Sequence, residues 1–348
     1  TFLCFLLRVR RPPGPSLFPY TTLFRSDSLG RTYSGYWRGD SLRRGRLRAK
    51  EGTYEGLFNR RMEEHGEGEF TANDGGYYVG KWKDGRRDGF GFSVASHEVV
   101  KCGVWAKGRF RGEQMLYHSE RIYGIDISKY QHVYKRRVYG IDWGNLRITR
   151  LGHTADRNAL GAVDYPVSFV YIKSTEGLTV FNPYYTQDVR AARRYGFPVG
   201  AYHFFSTRPA MSQADYFLKK SRLQKGDLPP MLDVELSDRR IAAMGGRDVL
   251  FREMLVWLKE IGRRSGTTPI IYVSQDFVNR YMPFAPEELK AYPVWVARYG
   301  EYKPYVHLLY WQLSPDGRVR GIQGDVDIDV FNGSEEQFKR YLRTQTVK

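Results

Sequence analysis

The sequence has few of the residues that build disulfide frameworks and metal centres. It contains two cysteines, Cys4 and Cys102, which lie far apart in segments of different character. Two such cysteines exclude a disulfide framework and a thiolate metal cluster. The seven histidines show none of the spacings that metal-binding proteins use. We therefore expect no metal site.

The sequence also lacks a long apolar segment and a recognisable signal sequence. Residues 1–7 are apolar but too short to span a bilayer, and an arginine cluster at 8–11 follows them, whereas a signal peptide carries its charges first. The chain does not begin with Met, and residues 16–26, SLFPYTTLFRS, have no periodicity and resemble a translated cloning adapter. We expect residues 1–28 to be a non-native, disordered segment. We expect the protein in the cell envelope or outside the cell.

Charge is abundant but is not concentrated in one place. The chain has 55 Lys and Arg against 38 Asp and Glu, and this excess of +17 is spread along the sequence. Because no nucleic-acid-binding motif and no compact stripe of Lys or Arg is present, we expect no specific nucleic-acid partner. A dispersed basic surface suits an anionic polymer or a membrane, and it also suits a protein whose charge serves only solubility.

Residues 31–116 repeat a short pattern of aromatic, glycine and polar positions. The four copies begin at Tyr33-Ser-Gly, Tyr54-Glu-Gly, Tyr78-Val-Gly and Lys101-Cys-Gly, and their glycines are 21, 24 and 23 residues apart. Alternating aromatic and polar positions bounded by glycines predict one β-hairpin per copy, stacked so that the aromatic side chains of neighbours cover each other. One such hairpin is too small to be stable alone, so the copies are expected to form one domain.

This pattern resembles the MORN repeat, the membrane occupation and recognition nexus motif. The fourth copy departs from it, with Lys101 where an aromatic residue belongs, as is expected of a capping repeat. The resemblance implies a module that contacts a protein or a membrane surface. A simple spacer or docking surface is the alternative.

After residue 123 the pattern changes to short apolar runs that alternate with amphipathic segments. Strands are predicted at 123–127, 169–173, 199–204, 231–235, 270–273, 294–298, 309–313 and 326–331, and helices at 183–195, 212–224, 247–263 and 334–343. Buried strands that alternate with such helices favour a parallel sheet. The sequence therefore predicts the α/β class, here an irregular barrel of about eight strands and few helices.

Acidic residues lie at the ends of these predicted strands. Asp126 ends the first, Glu176 follows the second, Asp233 and Glu235 end the fourth, and Asp327 lies in the last. In such barrels the reactive groups lie at the carboxyl ends of the strands. Residues i and i+2 of a strand leave the same face about 7 Å apart, so Asp233 and Glu235 can converge on one substrate bond. Paired carboxylates are what glycosidic bond hydrolysis requires, and this chemistry needs no cofactor.

Seven motifs resemble, in order, those of glycoside hydrolase family 25. They are Tyr123-Gly-Ile-Asp-Ile-Ser with Gln131, Ile141-Asp-Trp, Phe169-Val-Tyr-Ile-Lys-Ser-Thr-Glu-Gly, Gly200-Ala-Tyr-His-Phe, Leu232-Asp-Val-Glu, Tyr310-Trp-Gln and Gly324-Asp-Val-Asp. The resemblance covers about residues 121–343, and we assign 121–348 to this domain. It implies a lysozyme that cleaves the β-1,4 bond between N-acetylmuramic acid and N-acetylglucosamine in bacterial peptidoglycan, on an irregular TIM-like barrel of eight strands and five helices. One departure is the long stretch 132–167, whose Arg147, Arg150 and His153 form either a cleft wall or only a loop.

The resemblance implies catalytic roles for four carboxyl groups. We assign the general acid to Glu235, because desolvation and like charge at a barrel mouth raise the pKa of a carboxyl group. A salt-bridged structural Glu is the alternative. Asp233 would stabilise the positively charged transition state or orient the substrate acetamido group. Asp126 and Asp327 would hold this pair in register or bind sugar hydroxyls, and each has a strand-end cap as its alternative.

Six further side chains are candidates for binding the sugar rings. They are Glu176, Tyr202, Trp295, Tyr299, Trp311 and Gln312. Trp and Tyr offer flat apolar faces with a polar handle, and core packing is the alternative for these residues. Lys173 is expected to pair with nearby carboxylates, and His203 to pack behind the site.

The sequence therefore predicts a monomeric hydrolase of peptidoglycan glycan strands whose repeats serve targeting or interaction. A non-catalytic glycan-binding or envelope scaffold protein that retains the barrel is the alternative. Retention of all four carboxyl groups favours the enzyme, because a binding module has little use for a proton donor.

Overall fold

The computed structural model describes residues 23–94, 100–113, 121–154, 157–159, 162–297 and 306–348. The chain divides into two compact units, with the boundary between Gly112 and Glu113. No helix among these described residues is both long and apolar enough to cross a membrane.

The first unit is an antiparallel sheet in which each strand pairs with the next one along the chain. Its described strands are β1 Leu23–Ser26, β2 Thr32–Arg38, β3 Ser41–Ala49, β4 Gly52–Phe58, β5 Glu64–Ala72, β6 Tyr77–Lys83, β7 Arg86–Val94, β8 Val100–Ala106 and β9 Arg109–Glu113. Strands β2, β4, β6 and β8 each open one copy of the sequence repeat. The sheet is therefore the all-β N-terminal domain that the repeat predicts.

Aromatic side chains from successive hairpins form the core of this unit. The Tyr54 ring meets the Trp82 ring edge to face, with centroids 5.1 Å apart, and Tyr78 meets Trp105 in the same way at 5.0 Å. Each tyrosine ring lies across a glycine of the neighbouring strand, and a Cβ at Gly68 would overlap the Tyr54 ring. Glycine is required there because the aromatic ring occupies the space that any side chain would need.

The first strand corrects one expectation from the sequence. Leu23–Ser26 lies within the segment 1–28 that we expected to be disordered, yet it pairs with β2 along its whole length. Its Arg25 stacks on the Trp37 ring, 4.4 Å from the centroid, and forms a 3.0 Å ion pair with Asp40. Backbone pairing and this stacking hold the strand in the sheet, while residues 1–22 lie outside the described residues.

The second unit is built on a closed barrel. Its described strands are β10 Ile122–Ile127, β11 Val133–Tyr134, β12 Arg137–Val138, β13 Arg147–Arg150, β14 Gly152–Thr154, β15 Arg157–Ala159, β16 Tyr165–Pro166, β17 Val170–Glu176, β18 Val180–Phe181, β19 Val199–Phe204, β20 Met231–Val234, β21 Ile270–Ser274, β22 Pro293–Ala297, β23 His307–Arg320 and β24 Val326–Phe331. Eight of these strands form the barrel in the order β10, β17, β19, β20, β21, β22, β23 and β24. The first seven run parallel, and β24 closes the barrel antiparallel to both β23 and β10.

Helices cover the outside of the barrel. Those described are α1 Tyr185–Arg194, α2 Ala210–Ser221, α3 Asp238–Ala243, α4 Arg247–Ser265, α5 Gln275–Arg280, α6 Glu287–Lys290 and α7 Glu335–Thr344. Outward-facing strand residues such as Leu232 and Ile271 share one apolar cluster with Trp257 and Leu258 of α4. The predicted fold class, an irregular α/β barrel preceded by a small all-β unit, is confirmed.

The inside of the barrel is divided into an aromatic floor and a polar mouth. Because alternate residues of a strand face opposite sides, every second residue points inward. The lower layers are aromatic: Trp295 lies 5.0 Å from Tyr171 and 4.9 Å from Tyr310, and Phe169 lies 5.0 Å from Tyr310, between ring centroids. The polar side chains described next stand above this floor, at the carboxyl ends of the parallel strands.

Candidate active site

Asp233 and Glu235 lie where β20 reaches the barrel mouth. Asp233 points inward from the strand and is 7% exposed, whereas its neighbours Leu232 and Val234 pack outward into the apolar layer. The strand ends at Val234, so Glu235 follows it directly and is exposed to solvent. The two carboxyl groups therefore differ in burial, with Asp233 inside the barrel and Glu235 at its rim.

Asp126 and Asp327 come to the same mouth from adjoining strands. They are directly opposite each other in the antiparallel pair of β10 and β24. Gln312 at the mouth end of β23 donates a hydrogen bond of 3.3 Å from Nε2 to Asp126 Oδ2, and it accepts one of 3.3 Å from the Tyr272 hydroxyl. The fold thus brings Asp126 and Asp327, which are 201 residues apart in the sequence, together at the site.

Burial and neighbouring carboxylates raise the pKa values of the three aspartates. Burial, opposed by the Gln312 hydrogen bond and reinforced by the Glu235 charge, raises the pKa of Asp126 to about 7. Burial and then the charge of Glu235 raise the pKa of Asp233 well above its usual range, and burial with the Asp126 charge does the same for Asp327. Because ionising one of them opposes ionisation of the next, the cluster retains protons at pH values where isolated carboxyl groups have lost theirs.

Two opposing influences set the pKa of Glu235. Burial raises the pKa of Glu235, and the Lys173 ammonium group lowers it. Lys173 forms a 2.8 Å ion pair with Glu176 and lies 4.3 Å from the centroid of the Phe204 ring. The expectation that Lys173 pairs with a nearby carboxylate agrees with this geometry, and Glu176 stands beside the site through that pair.

Two tyrosines complete the inner wall of the mouth. Tyr202 and Tyr272 are buried, and burial together with the surrounding carboxylates raises the pKa of both phenols well above the usual range. A hydrogen bond from Tyr202 lowers the pKa of Asp126. Both phenols therefore remain neutral and act as hydrogen-bond donors.

The two candidate tryptophans lie in the interior rather than in a sugar-binding face. Trp295 is 0% exposed within the aromatic floor, and Trp311 is 2% exposed in the outer apolar layer. Trp311 faces away from the site because its neighbour Gln312 faces into it, and adjacent residues of a strand alternate. Neither indole is therefore placed to stack on a sugar ring. Core packing, the alternative given above, describes both positions.

The remaining candidates are a packed histidine and a residue outside the described range. His203 is buried between Thr175, at 2.7 Å, and Gln213, at 3.1 Å, and burial lowers its pKa to about 4. It is thus a neutral residue behind the site, as expected. Tyr299 lies outside the described residues.

The long stretch after β10 adds strands beside the barrel mouth. Strand β13 pairs with the end of β23, where Arg147 lies opposite Arg320 and Arg150 opposite Arg318. Arg147 forms an ion pair with Asp164. This part of the stretch is a sheet extension that continues β23 beyond the barrel rather than a free loop.

Sequence reasoning missed two residues of the site, Asp329 and Tyr272. Asp329 lies two residues after Asp327 on the same inward face of β24 and is fully buried. The spacing Asp327-Ile-Asp329 repeats the i, i+2 pattern of Asp233 and Glu235, and it was the available signal for Asp329. Tyr272 had no such signal, because only its position beside Asp233 in the sheet brings it to the site.

The arrangement can supply acid chemistry on a sugar bond. A solvent-reaching carboxyl group, whose raised pKa favours its protonated form, stands beside buried carboxyl groups, and paired carboxyl groups are what glycosidic hydrolysis requires. Within the described parts of the chain, no group of three or more His, Cys, Asp or Glu side chains is placed to hold a metal ion.

Comparisons with known proteins agree with this geometry. Residues 125–322 match the family model of glycosyl hydrolases family 25. An uncharacterized protein of Escherichia coli O6:H1, YegX, is 33% identical over 228 residues, which cover 64% of this chain and 74% of that protein. Lysozyme M1 of Streptomyces globisporus is 29% identical over 229 residues, covering 61% of this chain and 68% of its own. A solved bacterial lysozyme structure from Streptomyces coelicolor superposes with a TM-score of 0.52 at 27% identity, over 66% of this chain and 98% of that one.

The family match spans more than half of the chain and includes three of the four site carboxyl groups, Asp126, Asp233 and Glu235. The barrel that carries them has the fold of the solved relative. The chain therefore belongs to glycosyl hydrolase family 25, and it is a glycoside hydrolase.

Proposed function

We propose that this protein is a peptidoglycan hydrolase, a muramidase that cleaves the β-1,4 bond between N-acetylmuramic acid and N-acetylglucosamine. The observation that carries the proposal is the cluster of Asp126, Asp233, Glu235 and Asp327 at the barrel mouth, where burial raises the pKa of all four and like charge adds to the rise at the three aspartates. Lysozyme M1, among the relatives, supports this choice of substrate.

Glu235 acts as the general acid in this proposal. It is the most exposed of the four carboxyl groups, and its raised pKa favours the protonated form that a leaving oxygen needs. The carboxyl proton moves to the glycosidic oxygen while the bond from that oxygen to the anomeric carbon breaks. Positive charge then develops at the anomeric carbon.

Asp233 stabilises that charge, directly or through the substrate acetamido group. Its Oδ1 accepts no hydrogen bond from the described residues, although it is buried. An acetamido N–H in the cleft would satisfy this oxygen and turn the acetamido carbonyl toward the anomeric carbon. Water then completes hydrolysis, with the Glu235 carboxylate accepting its proton.

The other polar groups of the mouth hold the sugar and the carboxyl pair. Asp126 and Asp327 flank the pair and offer oxygen atoms to sugar hydroxyls. Tyr202 and Gln312, which contact Asp126, and Glu176, which pairs with Lys173, shape the adjoining subsites.

Release of new reducing ends from purified peptidoglycan tests this assignment. The Glu235→Gln variant keeps the shape of the side chain but has no acidic proton, so we expect a loss of roughly 10²–10⁴-fold in hydrolysis. Glu287→Gln is the matched control, because Glu287 is exposed on α6 and pairs only with Lys290 at 2.9 Å among the described contacts.

Two outcomes would contradict the assignment. Equal activity in the Glu235→Gln variant and the unaltered chain would remove Glu235 as the acid. Absence of activity in the unaltered chain on several wall chemistries would favour the non-catalytic scaffold instead.

We also propose that the N-terminal sheet is a MORN-like interaction module that targets the enzyme to an anionic surface. The support is a row of three exposed arginines, Arg44, Arg46 and Arg48, on one face of β3. Arg46 is paired with Glu55 at 2.7 Å, whereas Arg44 and Arg48 form no ion pair with the described residues. Cations in a row suit phosphate groups of a membrane surface.

Sedimentation with anionic and neutral lipid vesicles tests this module in the full chain. We expect the Arg44→Gln/Arg48→Gln variant to bind anionic vesicles several-fold more weakly than the unaltered protein. A control variant, Arg190→Gln/Arg194→Gln, removes the same charge from α1 and should bind as the unaltered chain does. Equal loss in both variants would mean that net charge alone acts, and absence of binding by the unaltered chain would contradict targeting to an anionic membrane.

A further inference from the structure

Asp329 is a buried acid that the proposed reaction does not use. It is 0% exposed and lies one inward-facing position below Asp327, opposite Gly124 of β10 and Gln312 of β23. Neither of its carboxyl oxygens has a well-aligned hydrogen bond within the described residues, although the Trp295 indole N–H and the Asp126 backbone N–H lie near enough to lower its pKa. A buried ionised carboxylate in such a place would lack the donors that its charge requires.

The group that Asp329 faces is the carboxyl group of Asp126. A side-chain hydrogen bond between the two acids lowers the pKa of Asp126, whereas burial and the Asp126 charge raise the pKa of Asp329 well above its usual range. Two ionised carboxylates cannot form a hydrogen bond, because both only accept. One of the pair must therefore carry a proton.

Position decides which of the two acids carries it. Asp126 stands level with Asp327 at the mouth and receives the Gln312 amide at 3.3 Å, which stabilises its ionised form. Asp329 lies a layer deeper, about 7 Å along the strand, where the Trp295 indole N–H and the Asp126 backbone N–H are near it but neither forms a well-aligned hydrogen bond. The proton is retained by the acid that is harder to ionise.

We propose that Asp329 is a positioning residue: it stays protonated, donates its carboxyl O–H to Asp126, and thereby holds Asp126 as an oriented carboxylate at the barrel mouth. This role rests on the proposed muramidase function, in which Asp126 binds substrate hydroxyls. Among the described residues, the other polar or titratable groups that face the pair are Asp327 from β24, Tyr310 and Gln312 from β23, Trp295 from β22, Tyr272 from β21, Asp233 from β20, Glu235 after β20 and Tyr202 from β19.

Two substitutions of Asp329 distinguish the effect of its hydrogen-bond donation from the effect of its charge. Asp329→Asn keeps the shape and an N–H donor, so we expect the acid limb of the pH profile of kcat/KM to stay where the unaltered enzyme has it. Asp329→Leu has no donor, so the pKa of Asp126 should rise and the acid limb should move upward by roughly one pH unit, a tenfold change in its acid constant.

The opposite results would overturn the proposal. If Asp329 is ionised in the native protein, Asp329→Asn removes a negative charge beside Asp126, and the acid limb moves to lower pH. If Asp329→Leu and Asp329→Asn have the same pH profile, hydrogen-bond donation is irrelevant. Unfolding in denaturant is measured for both variants, so that a loss of folded protein is not taken for a shift in the profile.

A titration that needs no activity keeps this test independent of the muramidase assignment. Carboxyl NMR of the full chain labelled with ¹³C-aspartate should show an interior aspartate signal that stays protonated through neutral pH and that is missing in Asp329→Asn. An Asp329 signal that titrates before that of Asp126 would contradict the proposal. Retention of this proton in a chain without hydrolytic activity would refute the muramidase function alone.

Discussion

Among the residues that the structure describes, Lys173 is the one cation that lowers the pKa of both Asp233 and Glu235. It lies on the inward face of β17, and its ammonium group opposes the rise in pKa that burial causes at Glu235 and at Asp233. Its contacts with Glu176 and Phe204 hold it in place beside them. The pH range of the enzyme therefore depends on Lys173 as well as on the acids themselves.

Removing the Lys173 charge should move the basic limb of activity upward. Without the cation the ionised form of Glu235 is less stable, so this acid keeps its proton to higher pH. We expect Lys173→Met to shift the basic limb of kcat/KM by about half a pH unit or more toward alkaline pH, as measured by hydrolysis across a pH series. Glu176→Gln is the control, because it breaks the same ion pair but leaves the cation, and an upward shift in that variant as well would contradict the argument.

At the scale of the elements, the floor of the barrel depends on a close approach between β10 and β17. Gly124 of β10 lies against the Phe169 ring, which precedes β17, and a Cβ at Gly124 would overlap that ring. Phe169 in turn packs on Tyr310 of β23 and Phe338 of α7. The missing side chain of Gly124 therefore lets the aromatic floor form directly beneath Asp126.

A methyl group at this position should destabilise the barrel. We expect Gly124→Ala to lower the free energy of unfolding by about 1–3 kcal/mol, because the surrounding rings must move out of a packed core. Urea unfolding measures the change. Gly140→Ala is the control, since a Cβ at Gly140 meets no atom within 4 Å and its effect should be small; equal losses in the two variants would refute the packing argument.

The elements also show where sequence patterns succeed and where they stop. The strands predicted at 199–204 and 326–331 are Val199–Phe204 and Val326–Phe331. Strand β23, predicted as 309–313, extends to Arg320 because its last residues pair with β13, a partner that its own pattern does not reveal. Helices α3, α5 and α6 have six residues or fewer, which is too short for a helical period to be recognised.

At the scale of the whole molecule, the buried acids that the proposed reaction uses also make the stability of the folded protein depend on pH. An acid whose pKa is higher in the folded than in the unfolded chain binds more protons when folded. Its contribution to stability is complete below the unfolded pKa, near 4, and is lost as the pH rises toward the folded value. Asp233, whose pKa is raised well above its usual range, contributes in this sense.

Neutralising Asp233 should therefore stabilise the protein at neutral and alkaline pH. Asp233→Asn mimics the protonated form, so its Tm should match that of the unaltered chain near pH 4 and exceed it increasingly toward pH 8. Each kcal/mol gained raises Tm by roughly 2–4 °C in a unit of this size. Thermal unfolding across a pH series measures this difference. Neutral, buried His203 also destabilises the folded protein at acid pH, but it does so in both proteins and does not affect the comparison.

Asp238, an acid on the surface, is the control, because its contribution to stability changes with pH in the opposite direction. Hydrogen bonds from Arg280 and Tyr281 lower the pKa of Asp238, so this residue contributes stability above the unfolded pKa that is lost as the pH falls through the folded value. Asp238→Asn should thus slightly lower Tm at neutral pH. A Tm difference for Asp233→Asn that does not grow with pH would contradict the linkage argument.

The sequence by itself determined the order and kind of the elements and the identity of the acids at the strand ends. Apolar periodicity and residue spacing are local properties, and they are sufficient to predict the barrel, the hairpin array and the positions of Asp126, Asp233, Glu235 and Asp327. Only the tertiary structure decided which side chains meet: that Asp329 lies beneath Asp126, that Trp311 packs outward beside Gln312, and that Trp295 belongs to the floor. The physical reason is that a pKa and a burial depend on strand register and on the partners brought from distant parts of the chain.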